Sequence, residues 1–161
     1  MVKKNYQIQL QVEKNIAKAF LSNQRISLKF ATELCREIKG KKLSKAERFL
    51  QDIMEHRAFL PLRVYRKKVA HRKGESKSFT KSGRYPERVC RVFLKLLDLV
   101  KANADFKGLD TESLGIVHAF ASQGLKRYSF QPKGRITGKR RARKSAHIEV
   151  VVREFKEAEK K

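Results

Sequence analysis

The chain has 161 residues, with 40 Lys and Arg against 16 Asp and Glu, a formal net charge of +24 and a pI near 10.4. That length suits one domain with a real core rather than two. The charge selects a polyanionic partner, nucleic acid ahead of an anionic membrane, and the apolar runs exclude a spanning segment, since Val92-Phe93-Leu94 and Leu96-Leu97 are broken by Lys95 and Asp98.

Met1-Val2-Lys3-Lys4 leads into no continuous apolar region, so no signal peptide is expected and the chain is expected to stay where it is made. Tyr6, Ile8, Leu10 and Val12 alternate and suggest a strand, with a second short strand near Ala17 to Phe20. Ser27 is placed to cap a helix whose apolar positions are Phe30, Ala31, Leu34, Cys35 and Ile38, ending at Gly40. Ser44-Lys45-Ala46-Glu47 reads as a capping box for a second helix with Ala46, Phe49, Leu50, Ile53 and Met54 on its buried stripe. The short connection predicts a helical hairpin, and Pro61 discourages continuation of the second helix.

Residues 61–86 set Arg63, Arg66, Lys67, Lys68, Arg72, Lys73, Lys77, Lys81 and Arg84 against the single acid Glu75. They predict an extended loop, and a structureless loop of that length is unusual unless it binds something. Pro86 is placed as the first residue of a long helix carrying Val89, Cys90, Phe93, Leu96, Leu97, Val100 and Ala104. Leu114, Ile116, His118 and Phe120 then alternate with their neighbours, as do Ile148, Val150 and Val152. The two runs predict one antiparallel hairpin. From Ala121 to a turn near Gly134 is about 13 residues, a reach of roughly 40 Å at strand rise, so the distal part is expected to project. The tail Glu154 to Lys161 is expected to fray or form a short helix.

No enzymatic constellation emerges. Gly134 to Lys139 has three residues between its glycines where a phosphate-binding loop needs four, and Arg140 stands where Ser or Thr should follow the lysine. Asp105, Asp110 and Glu112 sit at a helix end and turn, where acids cap or are solvated. His56, His71, His118 and His147 show no spacing that serves a nucleophile, and His118 with His147 suits RNA contact or packing at the strand bases better. Cys35 and Cys90, the only cysteines, read as reduced core thiols, with no Cys/His cluster for zinc. No cofactor or metal is expected.

Binding has stronger support. Segments 61–86 and 122–148 carry +8 and +9, together 17 of the 24 net charges. Tyr65, Phe79, Tyr85, Tyr128 and Phe130 are interleaved, and either stack on unpaired bases or anchor the loops.

Short motifs then recur in a familiar order. They are Ile26-Ser27-x-Lys29, Ile38-Lys39-Gly40-Lys41, Ala46…Leu50, His71-Arg72-Lys73-Gly74, Gly83-Arg84-Tyr85-Pro86 and Ala102-Asn103-Ala104. Lys107-Gly108-Leu109-Asp110, Ser113-Leu114, Lys126-Arg127-Tyr128, Gly134-Arg135-Ile136 and His147-Ile148-Glu149 follow. Over residues 5–153 the chain resembles the universal large-ribosomal-subunit protein 22 family (large-subunit protein 17 in eukaryotic naming), in a pattern more archaeal than bacterial or eukaryotic.

The resemblance implies a single α+β domain over residues 1–161, with three helices packed on a small antiparallel sheet and a long projecting basic β-hairpin. It implies a non-enzymatic, cytoplasmic constituent of the large ribosomal subunit that binds 23S-type ribosomal RNA, its hairpin lining the nascent-polypeptide exit tunnel. Neighbouring ribosomal proteins and the nascent chain are the other implied partners; no membrane insertion and no homo-oligomer are expected. By position, Lys29, Arg63, Arg66, Lys67, Lys68, His71, Arg72, Lys73, Lys77, Lys81, Arg84 and Tyr85 would contact RNA. So would Lys126, Arg127, Tyr128, Arg143, Lys144 and His147, while Lys133, Gly134, Arg135, Ile136, Thr137, Gly138, Lys139 and Arg140 would form the tunnel-facing tip. Many relatives have Arg-Ala where this chain has Gln131-Pro132, and a proline inside the ladder removes a donor there.

Overall fold

In the computed structural model, which describes residues 6–8, 15–73 and 80–155, the apolar periodicities become three helices and two antiparallel sheets among the described residues. Strand β1 (Ile16–Gln24) leads to α1 (Leu28–Ile38) and α2 (Leu43–Met54). The short strands β2 (Leu60–Pro61) and β3 (Gly83–Arg84) precede α3 (Glu87–Phe106) and the long strands β4 (Leu114–Phe130) and β5 (Arg140–Glu154). The main sheet has the order β1-β5-β4, so the C-terminal strand lies in the middle, paired to both neighbours.

The three helices bury the stripes that their spacing requires. Ala31, Leu34, Cys35 and Ile38 of α1, Leu50 and Ile53 of α2, and the α3 run from Val89 to Ala104 meet Ile148, Val150 and Val152 of β5 in one core cluster. Burial pushes the Cys35 and Cys90 thiols up to about 12, so both stay protonated at neutral pH. No described helix is long and apolar enough to cross a membrane.

Several local expectations change. Ser27 is the N-cap of α1 by backbone position, but its side chain makes no capping bond. The capping box on α2 does not form: the N-cap is Lys42, and Ser44 already lies inside the helix. The cause is non-local. Ile116 N–H donates to Lys41 O at 2.9 Å, Gly40 N–H donates to Ile116 O at 2.8 Å, and Lys42 bridges to Gly115. These bonds pin residues 40–42 against β4, with Lys42 extended and Gly40 in a turn at a left-handed φ of +80° that suits glycine. They also explain why α1 packs mainly on β4 and α2 mainly on α3, rather than on each other as a hairpin. Glu47 is drawn instead to Lys101 of α3, at 2.7 Å. Pro86 is the N-cap of α3 rather than its first residue, a one-position difference.

The basic loop is not structureless throughout. Its base is closed by β2 and β3, by Leu62 N–H on Ser82 O at 3.0 Å and by Arg72 N–H on Lys81 O at 2.9 Å. Phe59, Leu60 and Leu62 are fully buried beneath this closure, and Phe59 lies so close to Gly83 that a Cβ there would overlap its ring. Gly74, Glu75, Lys77 and Phe79 lie outside the described residues.

At the other end, Tyr6 and Ile8 have irregular backbone, while Leu10, Val12 and most of the tail after Glu154 lie outside the described residues. In β4 the register shifts between Ile116 and His118. Leu114 and Ile116, then Ala119 and Ala121, therefore face the core, and His118 and Phe120 fall on the opposite face from the one that simple alternation assigns. His118 uses that position to meet the buried carboxylate of Glu149, Nε2 to Oε1 at 3.1 Å.

Candidate nucleic-acid interface

The core ends on the hairpin at Ala121 and Ala146, and from Leu125 outward almost every residue to Lys144 is exposed. A clasp marks this border. Asn23, at a left-handed φ of +49°, accepts Leu125 N–H on Oδ1 at 3.0 Å, and Ser145 Oγ donates to Leu125 O at 2.8 Å. A Cβ on Gly124 would stand 2.6 Å from Ser145 Oγ, so glycine is needed at this bulge.

Beyond the clasp, Lys126 pairs with Lys144 and Arg127 with Arg143 directly across the ladder. Like charges in opposed positions destabilise a strand pair, and no acid lies anywhere in residues 122–148 to relieve them. The arm's internal stabilisation is local: Arg140 lies over the Tyr128 ring, 3.7 Å from its centroid, and Arg141 bonds Gln131. The tip folds back on itself through Gln131 N–H on Lys139 O at 3.1 Å and Gly138 N–H on Gln131 O at 2.9 Å. Gly134 and Gly138 take left-handed φ values of +95° and +80°. Since the ladder ends at the pair Phe130–Arg140, Pro132 lies in the turn and removes no ladder donor.

Two clefts flank the stem. One, of about 660 Å³, is lined by Arg25, Arg88, Arg127, Arg143, Lys144 and Tyr128, among others. The other, of about 600 Å³, joins Arg25, Lys29 and Lys144 to Tyr65 and Arg66 of the basic loop. Neither has an acidic residue in its lining. The two basic segments that are far apart in sequence thus share one cationic surface, with Arg25 and Lys144 common to both clefts.

The model of the family described as "Ribosomal protein L22p/L17e" matches residues 19–153. The chain belongs to the L22p/L17e family. It is a ribosomal protein of archaeal type, not an enzyme. It is 42% identical over 139 residues to the large ribosomal subunit protein uL22 of Archaeoglobus fulgidus, covering 85% of this chain and 88% of that protein. It is 41% identical over 157 residues to the protein of that name from Methanocaldococcus jannaschii, covering 96% and 97%. The Thermofilum pendens protein of the same name is 40% identical over 151 residues, covering 92% and 95%.

The L22p/L17e chain places its expected site residues unevenly. Lys29, Arg66, Arg127, Tyr128, Arg143 and Lys144 converge on the clefts. Lys126, on the stem, and Lys133 to Arg140, at the tip, are exposed away from them, as are Lys67, Lys68, Lys73 and Lys81 on the loop. Arg63 is engaged by Glu37. His71 bridges to Ser82 in the loop's closure, and Arg84 bonds Gly83 O. Tyr85 anchors the loop: its ring meets His56 at 4.5 Å, Arg72 stands 5.9 Å from its centroid, and its hydroxyl donates to Lys73 O. His147 stacks on Phe20 and accepts Asn23 N–H on Nδ1 at 3.2 Å. Tyr65 and Phe130 are exposed, and Tyr128 is half exposed with one ring face under Arg140. Among the described residues no group of three potential metal ligands forms.

Two cleft residues escape a sequence reading. Arg25 is isolated between β1 and α1, and Arg88 lies in the first turn of α3, so neither belongs to a charge run.

Proposed function

We propose that the chain is a structural constituent of the large ribosomal subunit in the cytoplasm, binding 23S-type ribosomal RNA through its hairpin stem and the loop 61–86. The observation that carries this reading is the ladder of opposed cations, Lys126 with Lys144 and Arg127 with Arg143, in an acid-free arm. Such a ladder is stable where phosphates lie on both sides of it. Arginines supply forked contacts to phosphate oxygens, lysines supply point charges, and the exposed Tyr65, Tyr128 and Phe130 suit unpaired bases. The family resemblance extends the reading to the tip, with residues 133–140 facing the nascent-polypeptide exit tunnel and neighbouring ribosomal proteins completing the set of partners. Exposure of Arg135 and Ile136 at the end of the arm is consistent with that role.

A photo-crosslinking residue at Ile136, in ribosomes stalled with a labelled nascent chain, tests the tip. The expected product joins position 136 to the nascent chain, with none from a control at Lys45 on α2. Products with RNA alone would remove the tunnel role, and absence of the protein from large subunits would remove the whole reading.

A further inference from the structure

We propose that Glu33 is a positioning residue for RNA recognition, its buried carboxylate acting as an internal anion that fixes the first turn of the basic loop before RNA arrives. This rests on the RNA-binding reading of the clefts. Glu33 lies on the core-facing side of α1 and is only 1% exposed. Its Oε1 accepts Val64 N–H at 2.8 Å and Tyr65 N–H at 2.7 Å, and its Oε2 accepts Arg63 N–H at 3.4 Å. Arg36, about half exposed, stands 4.0 Å from its Oε2.

Successive backbone N–H groups converging on one point form the kind of concavity that captures phosphate. Here the chain fills that concavity with its own carboxylate, which leaves RNA phosphates to the side chains. A buried carboxylate requires such donors, so both partners are satisfied. Other anchors flank these bonds: Leu62 is fully buried before the turn, and Val69 packs against the core after it. Val64 and Tyr65 are 46% and 38% exposed, so apolar burial does not fix them, and the ion pair of Arg63 with Glu37 acts only at the turn's first residue.

The consequence reaches the cleft. After Tyr65 the backbone takes a left-handed φ of +59° at Arg66, which carries the guanidinium over the Phe30 ring, 5.2 Å from its centroid. Phe30 stands one helical turn before Glu33, so α1 grips the loop turn at both ends. Tyr65 and Arg66 then form one wall of the cleft that Lys29 and Lys144 share. Without the carboxylate, residues 64 and 65 lose the bonds that set the position of that wall.

The test combines amide exchange with a double-mutant cycle, using full-length protein and transcribed, folded large-subunit ribosomal RNA. Glu33→Ala should speed exchange at Val64 and Tyr65 by roughly tenfold or more while α3 amides keep their protection. Arg66→Ala should weaken RNA binding by roughly fivefold in the native background but by less than about twofold beside Glu33→Ala, because the arginine is then no longer placed. Should Glu33→Ala fail to fold, Glu33→Gln keeps the shape and one acceptor and should show both effects at reduced size. Equal cost of Arg66→Ala in both backgrounds, or unchanged exchange at residues 64 and 65, would overturn the proposal. Failure of the native protein to bind this RNA would instead overturn the reading beneath it, and the exchange result would still stand.

Discussion

Replacing residues 126–144 with an Asn-Gly turn should leave a folded body that has lost most of its affinity for large-subunit RNA. The cut follows the border that the structure draws. It retains Ala121 and Ala146 in the core, and the clasp of Asn23, Leu125 and Ser145 that closes the shortened hairpin. It removes nine Lys and Arg residues and no acid. With about six of these on phosphates, the slope of log K against log salt should become shallower by roughly 4–5, and affinity near physiological salt should fall by at least ~10²-fold. Thermal stability should hold or rise slightly, since two like-charge pairs leave the ladder. Salt-dependent binding measured beside thermal unfolding checks both parts. Global unfolding of the shortened chain would contradict the division between body and arm.

The largest loss of stability is expected from Phe93→Ala. Phe93 is fully buried in the first half of α3, the helix that packs on α2, β1 and β5. Deleting a buried ring costs about 3–5 kcal/mol through lost transfer energy and the cavity left behind. Against a typical total of 5–15 kcal/mol, that leaves a marginal fold. For a chain of this size the melting temperature should drop by about 10–15 °C. Tyr128→Ala is the contrast: its half-exposed ring lies outside the core, so RNA affinity should change while the melting temperature stays within a degree or two. Calorimetry of the two variants with parallel binding curves checks this separation. Equal destabilisation by both would mean that the arm shares the core's stability.

The same division explains what could be read from the sequence. The stripes of α1 and α3, the two hairpin strands and the charge of both basic segments are encoded by local spacing, and they were legible. What escaped depends on contacts between distant residues. The start of α2 is set by Lys41 and Lys42 on β4, not by Ser44. The face of His118 is set by the register shift after Ile116, which no alternation pattern signals. Closure of the basic loop depends on the Phe59 ring against Gly83, and on a glutamate in α1 that its spacing alone marks as one charge on an apolar face. On the candidate interface, charge runs pointed to the stem and the loop. The clefts also need Arg25 and Arg88, single cations that become significant only once the chain folds around the stem.

The cationic surface that joins loop and stem is central to the proposed function. Its most direct test is competition between folded large-subunit ribosomal RNA and duplex DNA of equal phosphate content, at matched salt. Both ligands release counterions, so both titrations should weaken steeply as salt rises. The RNA should nevertheless remain preferred by roughly 10²-fold or more, because the loop, the clefts and the exposed rings fit a folded RNA that presents unpaired bases. Equal affinity for the two polyanions at every salt concentration would contradict that specificity and leave a protein that merely neutralises phosphate.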